Sequence, residues 1–257
     1  MNNIKPAAIN TIKGVFFDYG GVIEEVEYRD NFFNKGMGIL RNELELLNIK
    51  ITEEELRENL IKGIKEYSNW YKKNNFKELP NDKMWVKFLL PEICSSNKDA
   101  ETKIREKSEK LSSIFEYYLY FRRPTKDIFE IFKTIFNMGY TIALVSNTMS
   151  RTLIPERLEK LNIKRFFSSI VISSEAGIRK PNRAIFDIAL SETGLLASQC
   201  IYIGDTLSRD IEGSKNAGFK KSILIPSKIT EEKDKDYTGN VKPDSVIRTL
   251  KEILKLI

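Results

Sequence analysis

The chain has 257 residues, 41% of them hydrophobic and 30% charged, with two cysteines and no histidine. That length allows one large domain or two modest ones. The lack of histidine excludes a Ser-His-Asp triad, a phosphohistidine intermediate and any imidazole metal site, so chemistry must rest on carboxylates, hydroxyls, lysines and a hard metal.

Cys94 and Cys200 form no CxxC pair, and neither is followed six residues later by arginine, which leaves them as buried thiols rather than a zinc site or a cysteine phosphatase loop. The 42 basic and 36 acidic residues are interspersed, a solvated mixed surface rather than a nucleic-acid face, with a surplus of +6 that favours small anionic substrates. No apolar run is long enough to cross a bilayer, and the opening MNNIKPAAIN lacks the order of a signal peptide, so no membrane partner and a cytoplasmic location are expected.

In chain order, Gly14-Val15-Phe16-Phe17 reads as a buried strand running into Asp18 and a turn at Gly20-Gly21. From 24 to 123 the pattern is helical, with Thr52 and Glu55 spaced as a capping box ahead of Leu56, Leu60 and Ile64. The aromatic group Tyr67, Trp70, Tyr71 and Phe76 is expected to form the small core of this stretch, rather than line a pocket. After Pro124, Ile128, Ile131, Phe132 and Ile135 recur at helical spacing before an apolar strand at Thr141–Val145. Strands are then expected near Ser169–Ile172, Cys200–Ile203 and Ser222–Ile225, separated by helices near 155–162, 182–191 and 208–217. A charged loop at Glu231 to Asp236 and a last amphipathic helix from Val246 to Ile257 complete the chain.

This alternation implies an α/β fold, a Rossmann-like parallel sheet with helices on both faces, interrupted after its first strand by a helical insertion. The division expected is 1–23 with 124–257 as the core and 24–123 as the inserted domain. Ligands of such sheets bind beyond the carboxyl ends of the strands, where Asp18, Ser146, the Lys180 loop and Gly204-Asp205 fall. Singly, each is weak evidence, since a strand-end Asp or Ser is more readily a helix cap than a catalyst.

Taken together these segments resemble the haloacid dehalogenase (HAD) superfamily, whose four motifs are similar to Phe17-Asp18-Tyr19-Gly20-Gly21, Val145-Ser146-Asn147, Arg179-Lys180-Pro181 and Gly204-Asp205-Thr206-Leu207-Ser208-Arg209-Asp210. The position of the insertion resembles a C1-type cap, and only 33 residues separate Ser146 from Lys180, little room for another cap. The resemblance implies a magnesium-dependent phosphomonoesterase acting on a small phosphorylated metabolite, such as a sugar phosphate, with Asp18 as nucleophile. It implies Ser146 and the Asn147 amide as donors to the phosphoryl oxygens, Lys180 as the fixed cation, and magnesium held by Asp18, the Gly20 carbonyl and Asp205, with Asp210 binding it through water or orienting Lys180.

One departure is Gly20, which stands where the family's hydrolases carry a second aspartate as general acid and base. Glu25, at the exit of the first turn, is a candidate acid touching substrate, against the plainer reading of Glu24 and Glu25 as solvated glutamates. The alternatives are a phosphate-binding protein without efficient turnover, which Gly20 favours, and a metal-independent haloacid dehalogenase, which leaves Asp205 unexplained.

Overall fold

The computed structural model describes residues 11–227, 229–230, 234–235 and 237–257. Strand β1 (Gly14–Phe17) is buried along its whole length, as a strand covered on both faces must be. It lies between β4 (Thr141–Ser146) and β6 (Cys200–Gly204), with β5 (Phe167–Ile172), β7 (Lys221–Leu224) and β8 (Ser245–Val246) extending a parallel sheet in the order β5-β4-β1-β6-β7-β8. Val15 pairs with Ile142 on one side and Ile201 on the other. Because side chains alternate along a strand, Val15 and Phe17 enter one core layer with Phe132, Leu144 and Ile203, whereas Phe16 enters the opposite layer with Val145, Phe186 and Tyr202.

Between β1 and β4 the chain leaves the sheet through β2 (Glu24–Glu27) and returns through β3 (Phe121–Pro124), an antiparallel pair with Glu25 opposite Arg123. This pair was not expected; its charged alternation carries too little apolar signal to mark a strand. Helices α1 (Asp30–Leu46), α2 (Glu53–Lys73), α3 (Asn81–Met84), α4 (Pro91–Ser96) and α5 (Lys98–Leu119) fill the excursion. They enclose a second apolar cluster built on Met37, Leu40, Leu56, Leu60, Trp85, Ile104 and Leu111. Thr52 and Glu55 cap α2 reciprocally, the Glu55 amide donating to Thr52 Oγ1 at 3.2 Å and the Thr52 amide to Glu55 Oε2 at 2.9 Å.

The remaining helices cover the sheet: α6 (Ile128–Asn137), α7 (Leu153–Lys160), the short α8 (Ser173–Ala176), α9 (Arg183–Thr193) and α10 (Glu212–Ala217). The last amphipathic helix is a correction. Val246 instead pairs with Leu224 as the edge strand β8, and only Leu250–Lys255 winds, as a 3₁₀ turn capped by Thr249 and Glu252. Both cysteines are buried, and burial pushes the Cys200 thiol up to about 12. Most of the charged loop at 231–236 lies outside the described residues. Among the described residues, no helix is long and apolar enough to cross a membrane.

Candidate active site

Since β4, β1 and β6 are adjacent and parallel, the residues at their carboxyl ends come together: Ser146 closes β4, Asp18 follows β1 and Asp205 follows β6. Asp18 Oδ1 accepts hydrogen bonds from Ser146 Oγ at 2.9 Å and faces Lys180 Nζ at 2.8 Å. Lys180 Nζ also meets Asp210 Oδ1 at 2.6 Å and donates to the Tyr202 hydroxyl at 3.0 Å. One carboxylate oxygen from each of Asp18, Asp205 and Asp210 lies within 4.8 Å of the others.

Two glycines permit this crowding. Gly21 has φ +83°, and a Cβ there would run into the Asp205 carboxylate; a Cβ on Gly204 would run into Asp210. Gly20 differs, since its φ lies outside the left-handed region and nothing stands within 4 Å of where a Cβ would project. Asp205 is fully buried and accepts from Thr230 Oγ1 at 3.1 Å.

Burial alone would raise the Asp210 carboxyl, but Lys180 and Arg209 outweigh it and hold it down at about 2. Such a group adds stability above the ordinary carboxylate pKa and loses it as pH falls through its folded value. The parent should therefore be more stable than Asp210→Asn at neutral pH, with the gap closing between about pH 4 and pH 2. Denaturant melts of the two proteins over that range check this; a constant gap would contradict it.

The structure places the other expected residues with some differences. The Asn147 side chain grips the Lys180 backbone, accepting from its amide at 2.8 Å and donating to its carbonyl at 3.1 Å. Glu25 is exposed and paired with Arg123 at 3.2 Å. Glu24 is no solvated residue: it is fully buried, ion-paired with Arg157 and hydrogen-bonded by the Tyr19 hydroxyl at 2.7 Å. Tyr67 is core, as expected, but Tyr71 also carries the Arg179 guanidinium 4.7 Å above its ring.

Three carboxylates from the helical segment were not foreseen. Glu116, on α5, accepts from Thr148 Oγ1 at 2.5 Å and from the Met149 and Ser150 amides at 3.0 and 2.9 Å, and burial raises its pKa. Glu109 accepts from Ser150 Oγ and the Arg151 amide at 2.7 and 2.8 Å. Glu78 accepts from Ser173 Oγ at 2.7 Å and pairs with Arg179. The backbone is stitched there too, the Glu78 amide to the Gly177 carbonyl at 2.9 Å and the Arg179 amide to the Phe76 carbonyl at 2.8 Å. The one sequence signal was Glu116 falling four residues after Ser112, on the buried stripe of α5.

A parallel sheet with three carboxylates and a buried lysine at its carboxyl edge is the frame of an anion-processing enzyme, and comparison assigns its family. A sequence model described as haloacid dehalogenase-like hydrolase matches residues 48–224, and the chain belongs to that family. The chain is 31% identical over 119 residues to a glyceraldehyde 3-phosphate phosphatase of Methanothermobacter thermautotrophicus, 46% of this chain and 52% of that protein. It spans about half the length of the curated relatives it matches. In fold it is similar to a 2-haloacid dehalogenase of Pseudomonas syringae pv. Tomato, with TM-score 0.67 and 17% identity over 96% of this chain and 98% of that one. It is also similar to the HAD-hydrolase YfnB of Bacillus subtilis bound to magnesium, with TM-score 0.56 and 18% identity over 96% and 98% of the two chains.

Proposed function

We propose that the protein is a cytoplasmic, magnesium-dependent phosphomonoesterase that hydrolyses a small phosphorylated metabolite through an aspartyl-phosphate on Asp18. The observation that carries this is the cluster of Asp18, Asp205 and Asp210, with Lys180 Nζ 2.8 Å from Asp18 and 2.6 Å from Asp210. The phosphatase relative supports the same reading. A metal-independent dehalogenase, which shares the fold, leaves Asp205 unexplained, whereas Asp210 pairs with Lys180 in either case.

A set of carboxylate oxygens suits a hard cation, and magnesium is the fit. Asp18, the Gly20 carbonyl and Asp205 would hold it, with Asp210 acting through water; when bound it supplies charge neutralisation for an incoming phosphate dianion. The rest of the work belongs to the chain. The Asp18 carboxylate attacks phosphorus, the bond to the leaving oxygen breaks, and water then displaces Asp18 from phosphorus. Lys180, Ser146 Oγ and the Asn147 amide meet the charge on the phosphoryl oxygens. Residues 1–23 with 124–257 form the catalytic core in this reading, and 24–123 its cap.

The test is product analysis: inorganic phosphate should be released from phosphorylated metabolites, and no halide from 2-haloacids. Halide release without phosphate release overturns the proposal.

Gly20 shapes the rate. With no acid there, the leaving oxygen must depart as a stable anion or take a proton from elsewhere, for which Glu25 is the candidate. Aryl and acyl phosphates should outrun simple alkyl phosphates. Gly20→Asp should narrow that gap, because the backbone angle and the open space at this position admit a side chain. The dependence of phosphoenzyme formation on leaving-group pKa measures it; a flat dependence in the parent would show that another residue already delivers the proton.

A further inference from the structure

Lys180 is held at both ends of its side chain. Asn147 grips its backbone amide at 2.8 Å and its carbonyl at 3.1 Å. At the far end Nζ is almost wholly buried among three oxygens: Asp18 Oδ1 at 2.8 Å, Asp210 Oδ1 at 2.6 Å and the Tyr202 hydroxyl at 3.0 Å. An ammonium carries three hydrogens, so each has an acceptor.

The uncharged acceptor of the three is also the most rigid. Tyr202 lies on β6, fully buried, with its ring edge-on to Phe186 and Phe219 at centroid distances of 5.1 and 5.7 Å. Phenylalanine would make those contacts equally well, and a buried hydroxyl costs free energy unless it is hydrogen-bonded. Its proton has two acceptors, the Val145 carbonyl at 3.0 Å and Asp210 Oδ1 at 3.1 Å. Burial and the Asp210 charge push the phenol well above its ordinary pKa, so it stays a donor there and keeps its lone pairs for Lys180. Val145 directly precedes Ser146 on β4, so one oxygen ties the ends of β4 and β6 to the lysine.

When Asp18 bonds to phosphorus it gives up its negative charge, and its hold on Lys180 weakens. Asp210 and Tyr202 take no part in that bond. In a tetrahedral ammonium, two hydrogens pinned to fixed acceptors set the direction of the third.

We propose that Tyr202 is a positioning residue for Lys180: with Asp210 it pins two hydrogens of the ammonium, so that the third passes from Asp18 to a phosphoryl oxygen without displacement of Nζ. The inference rests on the phosphatase reading for the reaction that Lys180 serves.

The experiment is a double-mutant cycle between Tyr202→Phe and Lys180→Met, read as kcat/KM for p-nitrophenyl phosphate and as calorimetric affinity for inorganic phosphate in the presence of magnesium. Tyr202→Phe should lower both by about tenfold in the parent, the size expected of one hydrogen bond to a charged group. It should lower neither in the Lys180→Met background, where no ammonium is left to aim. A tyrosine that only fills the core would cost the same factor in both backgrounds, or none in either, and each of those results overturns the inference. If Lys180→Met does not fold, kcat/KM of Tyr202→Phe is followed at temperatures far below both melting transitions. A constant deficit there sustains the inference, and a deficit that vanishes on cooling overturns it. Absence of phosphate release by the parent from any ester would overturn the phosphatase reading, and the phosphate-affinity cycle would then decide the role of Tyr202 by itself.

Discussion

Asp18→Asn should reduce phosphate release by about 10⁴-fold or more while leaving the fold intact, because a nucleophile, unlike a helper, has no substitute. The amide keeps the size of the carboxylate and an oxygen that can accept from Ser146 and Lys180, and Lys180 retains Asp210 at 2.6 Å. Asp18 is 7% exposed and lies past the end of β1, so the core layers of Val15, Phe16 and Phe17 are untouched. Incubation with a ³²P-labelled ester should label the parent chain transiently and the variant not at all. Retention of more than about a hundredth of the parent rate would demote Asp18 to an acid or base role.

Chelation should silence the enzyme and magnesium restore it. Three carboxylates share the site with Lys180 and the nearby Arg209, so an arriving phosphate dianion meets net negative charge. Two unit charges about 4 Å apart repel by about 4 kcal/mol at the effective dielectric of a protein surface, enough to suppress productive encounter a thousandfold. Asp205→Asn should weaken magnesium binding in calorimetry and resist rescue at concentrations that restore the parent. Full activity in chelator would remove the reason for Asp205 and point back to dehalogenation.

The core was legible because its strands are buried on both faces and so appear as unbroken apolar runs, Val15-Phe16-Phe17 and Cys200–Ile203 among them. Their ends placed Asp18, Ser146 and Asp205 side by side once the parallel order was inferred. The Lys180 loop was placed at the same edge by strand order, but the role of Lys180 itself was legible only through its family motif. The β2–β3 pair was hidden by charge, and the partner of Glu24, Arg157, lies 133 residues away. Tyr202 looked like any strand residue, yet its hydroxyl stands 3.0 Å from Lys180 Nζ and 3.1 Å from Asp210 Oδ1. Burial and position along the sheet can be read locally; a long-range polar partner cannot.

The carboxylates of Glu78, Glu109 and Glu116 give the helical segment a part beyond enclosure. Glu116 and Glu109 hold the turn two to five residues past Ser146, while Glu78 and the Phe76 carbonyl hold the chain just ahead of Lys180. Swinging the helices away would strip both turns of their anchors at once and hand the freed amides and the Arg179 guanidinium to water. The helices and the two turns thus make up one thermodynamic unit, in which an open molecule is also a disassembled catalyst. On the proposed mechanism, such a coupling would confine aspartyl-phosphate formation to the state that shuts out bulk water, and a sheet stripped of its helices would be inert rather than indiscriminate.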